Sequence, residues 1–112
     1  MDAVAIHNQA LAEAQKAADA RIQEWKDSRG AVPFYCGFAW AVIKPARGKF
    51  VKDLKAAGIA DNGVYGGVEI RVPVLEDGQH TQSMDLKEVA VLKYCEVLKS
   101  HGIPAMMRSR AD

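Results

Sequence analysis

A small α/β or α+β domain behind a long N-terminal helix is the fold class this sequence predicts, and three observations predict it. Residues 2–28 hold no proline or glycine and are rich in alanine, the composition of a helix. Residues 34–43, FYCGFAWAVI, are apolar on both alternating faces, as a doubly covered strand would be. Beyond them helical and strand periodicities alternate to the C-terminus, giving the order α-β-α-β-α-β: a three-stranded sheet packed by two helices.

The bulk properties bound this reading. A chain of 112 residues and 12.2 kDa fits one domain and has no room for a second core. With 49% hydrophobic and 26% charged residues it has the composition of a soluble globular protein. Fifteen basic residues oppose fourteen acidic ones, a formal charge of +1, so no long-range field draws the whole molecule to nucleic acid or membrane. Any basic function has to be local. No apolar run approaches the ~18–20 residues of a spanning helix, and the N-terminus opens with an acid and lacks a signal-type apolar stretch. A cytoplasmic protein with no membrane partner is expected. Cys36 and Cys95 have no second cysteine or histidine at ligand spacing and read as free thiols rather than a disulfide or a metal site.

The elements follow in order. In the first helix Val4, Leu11, Ala18 and Trp25 recur every seven residues, with Ala14 and Ile22 on or beside the stripe. About 27 residues would run ~40 Å, long against a radius of gyration of ~13 Å. Residues 1–30 are therefore either an arm that packs on another copy, making a homo-oligomer, or a helix folded across its own sheet. Gly30 suits the left-handed cap that ends it. In the first strand Phe34, Cys36, Phe38, Trp40 and Val42 share one face, and Tyr35, Gly37, Ala39, Ala41 and Ile43 the other. That pattern predicts a central strand covered twice, with a helix close over the small residues. Pro45 suits the first position of a second helix, whose stripe of Phe50, Val51, Leu54 and Ala57 stops at Gly58. GIADNGVYGG is turn chemistry, and Val68, Ile70 and Val72 alternate with Glu69 and Arg71 as a strand that Pro73 puts at an edge or at its end. LEDGQHTQS reads as a polar loop. Asp85 with Glu88 forms a capping-box start for a third helix, which His101-Gly102 stops. IPAMMRSR is the last strand.

If the strands run parallel, polar segments converge beyond their carboxyl ends, where such sheets bind ligands. Lys44, Arg47 and Lys49 follow the first strand, at a helix start that normally favours acids. Backbone N–H groups there, with an arginine, could hold phosphate. Thr81, Gln82 and Ser83, beside His80, could read polar edges. Arg108 and Arg110 could close the site, and Tyr65, next to Gly66-Gly67, could stack a base if its strand is reversed. Each has a plainer reading. Lys49 can pair with Asp53 at i,i+4, the Gln79–Ser83 stretch can be simple loop, the glycines can serve a turn, and the arginines can be a solvated terminus. PARGK lacks the GxxxxGK[ST] spacing of a phosphate loop. His7, His80 and His101 lie in unrelated settings with no triad, HExxH or carboxylate pair, so the chain reads as a binder needing no cofactor or metal rather than an enzyme.

WAVIKPARGKFVKDLKAAGI, the later YGG and the final SRAD resemble small uncharacterised proteins of tailed bacteriophages over about the last two-thirds of the chain. The resemblance implies a host-cytoplasm setting and sequestration of a host nucleotide or cyclic-nucleotide signal, as in evasion of host defence. The expectation is a non-enzymatic, oligomeric binder of a small anionic ligand, most concretely a nucleotide. The alternative is an interaction module acting through its alanine-rich helix, and a nucleic-acid binder comes third.

Overall fold

Asp2 starts the first helix of the computed structural model, which describes residues 1–112. Its carboxylate accepts from Ala5 N at 2.7 Å, leaving α1 to run from Ala3 to Arg29 until Gly30, at φ 80°, closes it. The buried residues Ala3, His7, Ala10, Ala14, Ala18, Ile22 and Trp25 step by three or four, the stripe of a straight helix rather than a seven-residue coiled-coil seam. At 1.5 Å per residue α1 is about 40 Å long and matches the longest dimension of the molecule, 44 Å. It is no detached arm. Its alanine stripe lies chiefly along the last helix of the same chain, and its buried residues belong to the one core cluster.

After α1 come β1 (Gly37–Ile43), α2 (Lys49–Ala56), β2 (Ala60–Asn62), β3 (Val68–Ile70), β4 (Leu75–Glu76), β5 (Gln79–His80), α3 (Met84–Ser100) and β6 (Ala105–Ala111). The main sheet has the order β2-β3-β1-β6, and every neighbouring pair is antiparallel. The chain is thus α+β, with four strands where three were expected. The two helical crossovers do join parallel strands, β1 to β2 through α2 and β3 to β6 through α3. Each skips one position, and the skipped position is filled by a strand of the other unit, the split β-α-β arrangement. A parallel sheet does not form because the turn-rich segment expected to be pure loop contributes β2. That strand folds back on β3 as a hairpin and reverses β3 against β1.

Local chemistry explains the other departures. Asp77 and Gly78 have φ 52° and 80°, both left-handed, as a two-residue type I′ turn requires; they make the supposed polar loop into the β4–β5 ribbon. Gly67 (φ 73°) lies so near β1 that a Cβ would come 2.8 Å from the Ile43 carbonyl oxygen. Pro45 does not start α2: the chain uses Pro45–Gly48 to turn out of the sheet, Arg47 N donating to Pro45 O at 3.0 Å, and the helix begins at Lys49. Ser83, not Asp85, caps α3, its hydroxyl accepting from Leu86 N at 3.2 Å.

All three helices serve the inner face of the sheet. Ala39, Ala41, Ile43, Val68, Ile70, Ala105 and Met107 face α3 and join the core formed with Leu86, Ala90, Val91, Tyr94 and Leu98. The small residues of β1 do admit a helix closely: a Cβ on Gly37 would collide with the Met84 side chain. The opposite face of β1 carries no helix: Val42 there is buried but Phe38 is exposed, so the strand is covered on both sides only toward its carboxyl end. Both cysteines are free, and burial pushes the Cys95 thiol up to about 11. No helix is long and apolar enough to cross a membrane.

Candidate functional site

Antiparallel pairing separates the segments that a parallel sheet would have gathered. Lys44, Arg47 and Lys49 follow the carboxyl end of β1. Arg110 pairs with Phe38 near the start of that strand, and Ser83 bridges Cys36 just before it. Seven residues of extended strand span roughly 20 Å, so the Lys44–Lys49 turn and the Gln79–Ser83 segment lie at opposite ends.

Three of the individual groups are also occupied. Lys49 Nζ sits 2.6 Å from Asp53 Oδ2, and this hydrogen bond and charge raise the Lys49 pKa. Thr81 Oγ1 donates to Glu76 Oε1 at 2.8 Å and accepts from Ser83 N at 3.1 Å, while the Ser83 hydroxyl is spent on the α3 cap. Gln82 is exposed in a cleft of about 380 Å³ that Glu76 and Asp77 line and that no lysine or arginine lines. Such a cleft repels phosphate. The nine expected ligand residues therefore form no single site.

Three of them, with Lys44 at the rim, do come together on the sheet face that no helix covers. The positions on this side are Phe38, Trp40 and Val42 on β1, Val42 being wholly buried, with Arg110, Arg108 and Met106 directly opposite on β6, Glu69 opposite on β3 and Asp61 opposite Glu69 on β2. Facing residues of an antiparallel pair share a side, so the two arginines project beside the two rings. Tyr65, in the turn between β2 and β3, reaches the same surface: the Arg108 guanidinium carbon stands 5.9 Å from its ring centroid. Arg110 lies 5.6 Å from the Phe38 centroid. From α3, Lys87 Nζ lies 5.1 Å from that same ring and donates to Gly37 O at 2.7 Å. Lys44 joins the rim, since a Cβ at Gly66 would be 3.4 Å from its Nζ.

Two rings and a methionine of this surface are open to solvent. Phe38 is 43% and Tyr65 73% exposed, and Met106 is exposed beside them. Aromatic rings left open between cations cost hydrophobic burial, and contact with a cation over the ring returns about 0.5–1 kcal/mol at such sites. Trp40, half-buried, holds the chain's one buried side-chain nitrogen or oxygen without a hydrogen-bond partner, Nε1. Sequence reasoning grouped Phe38, Trp40 and Val42 correctly but assigned them to a covered face, and it missed Lys87. The signal for an open face lay in Arg108 and Arg110, which alternate along β6 at the two-residue period and cannot both point into a core.

No protein-family model, curated protein or solved structure matches this chain.

Proposed function

We propose that the protein binds nucleotide units without turning them over, at the open sheet face: a base stacked on Phe38, Trp40 or Tyr65 and a phosphate held by Arg108 or Arg110. The observation that carries this reading is the pairing of the two exposed rings of this face, Phe38 and Tyr65, with cations. Aromatic faces stack any base, and guanidinium forks match phosphate oxygens. The outward strand positions offer no histidine, cysteine or serine as base or nucleophile. Arg47, Lys49 and the Gln79–Ser83 segment are not part of this reading. In the phage setting that the sequence resembles, such binding would serve to withhold a nucleotide-bearing molecule from the host.

One stacked base contributes about 1–3 kcal/mol and one charge-assisted phosphate contact about 1.5–3 kcal/mol, which together give an affinity near millimolar. Adenosine monophosphate at tenfold excess over such a dissociation constant should stabilise the fold by about 1.4 kcal/mol, a rise of several degrees in melting temperature. Phe38→Ala and Arg108→Ala should each reduce the rise, whereas Lys49→Ala should leave it intact. A melting temperature indifferent to all the common mononucleotides at tens of millimolar would remove the reading. The alternative, an interaction module acting through α1, has less support because the alanine stripe that would dock a partner already packs on α3. Pairing of copies would likewise need another surface.

A further inference from the structure

We infer that the occupant of the open face is single-stranded nucleic acid rather than a free nucleotide; this rests on the nucleotide-unit reading above. Small ligands are held in concave sites that bury most of their surface, and this face is a sheet surface that is open at Phe38, with only the Tyr65–Gly67 turn lying over its Val42 end. Such a face holds a lone nucleotide only weakly. A polymer multiplies the same weak unit, and the face is built as a repeat. Phe38 stands opposite Arg110, and Trp40 opposite Arg108, so a ring-and-cation pair recurs at the two-residue period of the strands, roughly 7 Å along β1. That is about twice the 3.4 Å per nucleotide of a stacked strand, the spacing of a strand opened so that successive bases can leave one another and lie on protein rings. Tyr65 extends the row beyond β1 beside Arg108, and Lys87 adds a cation at the Phe38 end. Charge is complementary where the rings lie, for Lys87, Arg108 and Arg110 border them, while the acids of the same face, Glu69 and Asp61, stand on β3 and β2. A duplex, its bases already stacked, would leave the rings unused.

The test is fluorescence anisotropy with the full chain and a labelled deoxythymidylate decamer, competed by thymidine monophosphate and by a duplex of the same length. The decamer should bind at least tenfold more tightly than the mononucleotide and more tightly than the duplex. With three contacting cations the affinity should fall roughly 20-fold between about 50 and 200 mM salt. Phe38→Ala and Arg110→Ala, both at exposed positions, should each weaken decamer binding about tenfold or more, and Arg110→Ala should flatten the salt slope as well. Lys49→Ala should change neither. If mononucleotide and decamer bind equally, the polymer inference falls while nucleotide binding stands. If neither binds, both fall. Duplex binding equal to single strand would also overturn the inference, since charge alone would then be acting. So would a dimer in light scattering that Phe38→Ala dissociates, because a second copy would then be the occupant.

Discussion

His7 shows how one buried residue ties the long helix to the rest of the molecule. Its Nδ1 lies 2.6 Å from the Tyr94 hydroxyl, the two rings meeting edge to face, and both residues are buried. Burial lowers the His7 pKa from its ordinary value near 6.5 and raises that of Tyr94, so both groups are held uncharged. The sign of the consequence is fixed by linkage. Above pH 6.5 the imidazole is neutral in both folded and unfolded chains. As pH falls below 6.5 the unfolded chain takes up the proton first and is favoured, so stability declines through this window. In thermal melts at pH 7.5 and 5.5 the melting temperature should drop more for the native chain than for His7→Gln, which keeps a hydrogen-bonding partner for Tyr94 but does not titrate. Parallel drops would show that His7 does not contribute. This contact was invisible in the sequence, because the two residues are 87 positions apart and neither sits in a recognisable motif.

Among the elements, α3 carries the connection between core and face. Its start is fixed by Ser83, and it lies on the sheet while supporting α1 on its other side. Ser83→Ala should cost about 1 kcal/mol and lower the melting temperature by several degrees. Asp85→Ala should cost less, since Asp85 lies in the first turn and does not cap. Equal losses in the two variants would contradict the assignment of the cap. Helices were the legible part of this chain: α1 and α3 have their periodicity and end signals in one stretch, where local spacing decides. Strand direction was not legible. β2 is three residues long, too short to show alternation, yet its hairpin with β3 sets the direction of β3 against β1. The site followed suit. Tyr65, Arg108 and Arg110 were visible as candidates, but their grouping depended on strand direction, and Thr81 and Ser83 looked like ligand donors because a hydroxyl bonded to Glu76 or engaged in a cap reads in sequence as a free one.

At the scale of the whole molecule, one core serves every element. The buried residues of α1 fall in the same cluster as those of the sheet and α3, so the division into an arm and an independent domain has no counterpart in the packing. Deleting residues 2–28 should expose Leu86, Tyr94 and their neighbours on α3 and abolish the cooperative thermal transition, rather than leave a folded sheet domain; a sharp melt in the truncated chain would contradict this. Because every helix packs on one side, the other side of the sheet is available to a ligand without any element having to move. This asymmetry makes the exposed rings of Phe38 and Tyr65 and the guanidinium groups beside them the centre of the functional account. Backbone amide resonances followed during titration with a deoxythymidylate decamer test that account most directly. The account predicts shifts concentrated on Phe38–Val42, Met106–Arg110 and Tyr65. Shifts concentrated instead on Arg47–Lys49 or Gln79–Ser83, or no shifts at all, would contradict it.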